Sequence, residues 1–159
     1  MAKHEPISAD RIETSRLLMI VVGAHLRAEI ADRPLAGRLR DNIQSWLRER
    51  GTKINAPFLP LICCDIWYLN QERLHQCPTI SVGGPGVNAL SAFFQNRLNA
   101  AFVRDNHLII QLDPEFVDLR ACIWGVNHEL TVTALETFDG KYLDRYLRAV
   151  ASQIEPQVD

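Results

Sequence analysis

Several things are scarce in this chain, and each scarcity removes a class of function. No apolar run is long enough to span a bilayer; the longest early one, Leu17 to Val22, is far too short. No apolar signal core follows Met1-Ala2-Lys3-His4-Glu5-Pro6, so the expected location is cytoplasmic. The formal net charge is only -2, so no global field draws in nucleic acid or an acidic membrane. Arg33, Arg38, Arg40, Arg48 and Arg50 lie close together but alternate with Asp41 and Glu49, the pattern of a solvated helix face. Nucleic-acid binding is therefore disfavoured.

There are four cysteines, Cys63, Cys64, Cys77 and Cys122, in no zinc or disulfide-scaffold spacing. They are expected to be reduced packing residues. His25, His75, His107 and His128 show no HxxxH arrangement, so no metal site is expected. No GxSxG, Walker loop or GxGxxG occurs, so acyl-transfer and dinucleotide-binding readings gain no direct support. A cofactor cannot be named from such a pattern.

What is present is an alternation. Leu17 to Val22 is apolar without a polar alternate, as in a strand covered on both faces, and Phe58 to Cys64, Thr79 to Val82 and Arg120 to Val126 are the further strand candidates. Between them, Leu35, Leu39, Ile43, Trp46 and Leu47 recur at helical spacing, with Pro34 in a first turn and Gly51 as terminator. Residues 66–78 hold a short crossover helix with Asn70 as its cap, and Val87, Leu90, Phe94 and Leu98 stripe the next helix. Residues 102–110 form a hairpin around Asp105-Asn106, which tolerate left-handed backbone angles. A helix follows Asn127-His128-Glu129, Gly140 breaks it, and Tyr142, Leu143, Tyr146, Leu147 and Val150 mark a last one.

This order predicts an α/β, Rossmann-like three-layer sandwich: a mostly parallel sheet with an antiparallel hairpin at one edge. Residues 1–15 read as a flexible segment and 16–153 as a single domain.

Parallel strands deliver four segments to one sheet edge: Gly23-Ala24-His25, Asp65-Ile66-Trp67-Tyr68, Gly83 to Asn88, and Gly125 to Glu129. Ligands bind at that edge in such folds. Gly83, Gly84 and Gly86 let the backbone approach a ligand, and the N–H groups of residues 84–88 are candidates for holding an anion. Asn88 and Asn127 either cap helices or turn their amides to the ligand. Asp65 is the candidate for a hydroxyl or a proton, against capping its own loop. His25 and His128 are candidate acid/base groups, with surface positions as the alternative. Trp67 and Tyr68 can stack on a ring or pack under a neighbouring loop.

Gly83-Gly84-Pro85-Gly86-Val87-Asn88 and the later Trp124-Gly125-Val126-Asn127-His128-Glu129-Leu130-Thr131 carry a resemblance. Residues 80–138 resemble the GGPxxN Rossmann-like module of S-layer-associated and uncharacterised proteins. That module has Asp-Thr before its second helix, where this chain has Leu130-Thr131 and Glu129 one position earlier. The resemblance implies the fold, a pairing of the two loops and a hydrogen bond between Asn88 and Thr131; it implies no reaction. The functional expectation is a site for a nucleotide or other phosphorylated small molecule at the C-terminal edge of the sheet, with catalysis an open question. The alternative is a non-catalytic interaction or assembly module, in which a second copy of the chain is a candidate partner.

Overall fold

The computed structural model describes residues 14–50 and 58–154. A 3-10 turn at Thr14–Arg16 leads into β1 (Leu17–Val22), and α1 (Leu26–Arg50) follows. Then come β2 (Leu59–Cys64), α2 (Asp65–Leu69), a second 3-10 turn (Glu72–Gln76), β3 (Thr79–Val82) and α3 (Ala89–Phe94). The chain ends with β4 (Ala100–Arg104), β5 (Leu108–Gln111), β6 (Arg120–Gly125), α4 (His128–Lys141) and α5 (Leu143–Gln153). The expected flexible segment 1–15 lies outside the described residues, apart from Thr14 and Ser15 in the first turn.

The six strands form one sheet in the order β2-β1-β3-β6-β5-β4. The first four run parallel. The β4–β5 hairpin joins antiparallel through β5 and forms one edge. This is an α/β fold with a mostly parallel sheet, consistent with a Rossmann-like arrangement.

Every residue of β1 is buried, which is why its sequence shows no polar alternate. Leu18, Ile20 and Val22 join a cluster with Leu35, Leu39, Ile43, Leu135 and Tyr146. Leu17, Met19 and Val21 join a second cluster with Tyr68, Leu74, Leu90 and Phe94. Successive side chains of a strand point to opposite faces, so apolar packing covers both sides of β1. Leu39 and Ile43 are fully buried, and each contributes about 2 kcal/mol of burial. Trp46 Nε1 donates to Asp144 at 2.9 Å, tying α1 to α5.

Several local expectations change. Pro34 stands well inside α1 rather than in its first turn. Its ring nitrogen offers no donor to the Ile30 carbonyl, and the 71% exposure of Ile30 puts that turn next to water. The residues from Leu26 to Arg33, which that expectation left ahead of the helix, are therefore its first turns. Gly51, its expected terminator, lies outside the described residues. Residues 66–78 form two short turns, because α2 starts directly at Asp65 and Asn70 closes it as the C-cap. Gly140 stays helical, and the break falls at Tyr142. Asp105 and Asn106 do adopt positive φ, 52° and 57°, at the hairpin tip. Three arginines of α1 sit in surface ion pairs: Arg33 with Glu29, Arg38 with Glu136, and Arg50 with Asp144.

No helix among the described residues is long and apolar enough to cross a membrane. The four cysteines are free thiols.

Candidate functional site

The parallel register brings the ends of four strands level. Val22 pairs with Cys64 on one side and Val82 on the other, and Val82 pairs with Ile123. The four expected segments thus leave the sheet at one edge. β1 connects through α1 to β2 on one side, while its other neighbour β3 continues toward β6. The β1–β3 boundary is a topological switch point, where the flanking connections diverge and a crevice opens.

Two of the expected site residues are absorbed in building that edge. Asp65 is 4% exposed. Its Oδ1 accepts from Ala24 N–H at 2.9 Å and Ile66 N–H at 2.7 Å, and its Oδ2 accepts from Ala89 N–H at 2.7 Å. One carboxylate therefore joins the loop after β1, the start of α2 and the start of α3. Asn88 is fully buried. Its Oδ1 caps α3 by accepting from Leu90 and Ser91 N–H, and its Nδ2 donates to the carbonyls of Val21 and Val82. Both donors and the acceptor are used. The expected Asn88–Thr131 bond is not formed: Thr131 Oγ1 instead accepts from Gly125 N–H and donates within its own loop.

The loop amides are similarly committed. Val87 and Asn88 N–H both donate to the Gly84 carbonyl, at 3.2 and 3.0 Å. Ala89, Leu90 and Ser91 N–H are taken by Asp65 and Asn88. Of the amides at residues 84–88 expected to meet an anion, only those of Gly84 and Gly86 are outside these bonds, since Pro85 has none.

Gly83 makes room for a residue that the sequence reading passed over. Its φ is +106°, and a Cβ at this position would collide with Asp32 Oδ2. Asp32 lies on α1 and is 6% exposed. It sits on the buried stripe of Ala28, Leu35, Ala36, Leu39 and Ile43. Among the described residues nothing donates a hydrogen bond to it. Burial pushes its carboxyl up to about 6, and the His128 imidazole pulls in the other direction.

Asp32 lines a cavity of about 630 Å³, within the usual range for small-molecule sites. The wall is built from α1 (Arg27, Ile30), the Gly84–Val87 loop, Trp124, and the Gly125–His128 segment that starts α4. Trp124 packs over Gly84, with its ring 3.4 Å from where a Cβ would stand. Asn127 caps α4 by accepting from Leu130 N–H at 2.9 Å, and His128 is exposed at the mouth. Arg27 makes no ion pair among the described residues.

The cavity thus gathers Gly84, Gly86, Asn127 and His128 from the expected set, with Gly83 behind Asp32. Asp65 and Asn88 lie outside its wall. So does His25, which is exposed and turns Nδ1 to accept from Arg27 N–H at 3.1 Å, capping α1. Tyr68 is core, its hydroxyl 3.0 Å from Thr79 Oγ1, and Trp67 packs beside the same cluster. The arrangement supplies a carboxyl raised to about 6, an imidazole at the mouth, a guanidinium at the rim and an indole wall. Burial pushes the Cys63 and Cys122 thiols up to about 12, so neither is a ready nucleophile. Among the described residues no three His, Cys, Asp or Glu side chains gather as metal ligands.

The fold and site define an α/β domain with a polar-floored cavity between α1 and α4 at the C-terminal edge of its parallel strands. No model of a known protein family, no curated protein and no solved structure matches the chain.

Proposed function

We propose that residues 16–153 form one Rossmann-like, three-layer domain that binds a nucleotide or other phosphorylated small molecule in the cavity between α1 and α4. The observation that carries this reading is a buried carboxyl, Asp32, without a hydrogen-bond donor on the floor of a ligand-sized cavity. The Asp32 carboxyl opens onto the cavity with its acceptor capacity unused by the described residues, so an arriving ligand can supply the donors. The two apolar clusters on opposite sides of β1 support the layering. The anionic end of the ligand meets Arg27 and the first turn of α4, whose helix dipole favours negative charge. Asp32 and His128 are the groups placed to transfer a proton if the ligand is turned over. Thermal shift and calorimetry across nucleotides and sugar phosphates test the reading. A compound that stabilises the protein and loses its effect in Trp124→Ala is expected; a panel in which nothing binds overturns it.

A second reading rests on the exposed apolar side chains Leu26 and Ile30, each 71% exposed, and Val126, 53% exposed. Ile30 and Val126 belong to the cavity wall, so the mouth can also seat a protein partner in a non-catalytic assembly. Light scattering on the native chain and Ile30→Glu separates the two: a dimer that the charge dissolves favours assembly.

A further inference from the structure

If the cavity takes a nucleotide, the ligand can enter in two orientations, phosphate first or base first. The geometry favours one. The floor carries Asp32, buried and without a donor. A phosphate lowered onto it would face a carboxylate at close range, where like charges repel even through the cavity water. The Gly-Pro-Gly loop compensates little, because the amides of Val87 and Asn88 already bond to Gly84 and Pro85 has none, which leaves only those of Gly84 and Gly86. The positive groups lie instead at the rim, on Arg27 and at the start of α4.

A base entering first meets the opposite situation. Trp124 offers an aromatic wall, and a planar ring stacks on such a surface with worthwhile energy. A carboxylate has acceptors only, on two oxygens. Its best partner is an edge with two adjacent N–H donors, which makes a parallel, charge-assisted pair of bonds. Guanine presents that edge with N1–H and its 2-amino group. Adenine presents a donor beside an acceptor, and hypoxanthine lacks the second donor. Xanthine puts a carbonyl where guanine has the amino group.

We propose that Asp32 reads the paired N–H edge of a guanine-type base held against Trp124, with the phosphate outward at Arg27 and the start of α4. This rests on the cavity reading above and adds to it the ligand class and its orientation.

The test is calorimetric titration of the full chain with GMP, IMP, XMP and AMP, repeated on Asp32→Asn. GMP is expected to bind at least tenfold more tightly than the other three. Asp32→Asn, which swaps one acceptor for a donor, is expected to lose that margin and to gain for XMP, whose 2-carbonyl accepts from the new amide. A native melting curve for Asp32→Asn without ligand shows that the variant folds. Equal binding of AMP or IMP by the native chain, or a GMP affinity unchanged in Asp32→Asn, overturns the proposal and leaves the cavity reading standing. Binding of a sugar phosphate with no nucleotide bound does the same. If neither nucleotides nor sugar phosphates bind, both fall.

Discussion

Asp65 and Asp32 are buried to nearly the same extent, 4% and 6% exposed, and sit at the same edge of the sheet. Asp65 accepts three backbone N–H bonds. Asp32 accepts none among the described residues, and it floors a cavity. The first acid is a fastening of the fold. The second is held in place by its neighbours while its hydrogen-bonding capacity is left for something else. Burial alone therefore does not tell a structural carboxylate from a recognition carboxylate; the count of donors does.

The contrast can be broken most severely at the fastening. Asp65→Ala strands three backbone donors, and a loss of roughly 3–5 kcal/mol is expected in urea unfolding. A cost below about 1 kcal/mol would mean that the three bonds matter little. Asn88→Ala removes the α3 cap and the donors to Val21 and Val82, for an expected loss of about 2–4 kcal/mol by the same measurement.

Asp32→Asn is expected to go the other way, leaving stability unchanged or raising it by about 1 kcal/mol at pH 7. Water in the cavity screens the charge and keeps the gain small. Clear destabilisation would reveal a structural partner for Asp32 and collapse the distinction. The pH profile sharpens it further. Asp32 and Asp139 both have carboxyls raised to about 6 by burial, so the folded state favours their neutral forms. The stability they contribute is complete below about pH 4 and is lost as pH rises through about 6. Asp118, lowered mainly by the Arg120 side chain that donates to it, acts oppositely and loses its contribution only as pH falls below the usual carboxylate range. Melting temperatures from about pH 4.5 to 7.5 should fall less steeply in Asp32→Asn and Asp139→Asn than in the native chain. The smallest effect is expected from His128→Ala, which removes the charge that pulls the Asp32 carboxyl down. NMR titration should find that carboxyl higher still in the variant.

Much of the architecture was legible because it depends on short-range patterns. Unbroken apolarity in Leu17–Val22 marks a strand buried on both faces, and Asp105-Asn106 marks the hairpin turn. The convergence of four segments at one edge followed from parallel pairing. Asp32 was missed because Pro34 was placed in the first turn, which left the residues well before it outside the helix. The available signal was its spacing: Ala28, Asp32, Leu35, Leu39 and Ile43 form one stripe, with an acid at a core position. The division of labour between Asp65 and Asp32 was not legible, since it depends on which distant amides fold back onto each. Ala24 N–H reaches Asp65 from 41 residues away, and no local pattern encodes that.

The β4–β5 hairpin has a practical consequence. Because β5 runs against β6, its tip at Asp105, Asn106 and His107 returns to the end of the sheet where Gly125 stands. The His107 carbonyl accepts from Val126 N–H at 2.8 Å, and Val126 forms part of the cavity wall. A fluorophore attached at exposed Asn106 would therefore hang beside the entrance without displacing core packing, and its emission would report occupancy in real time.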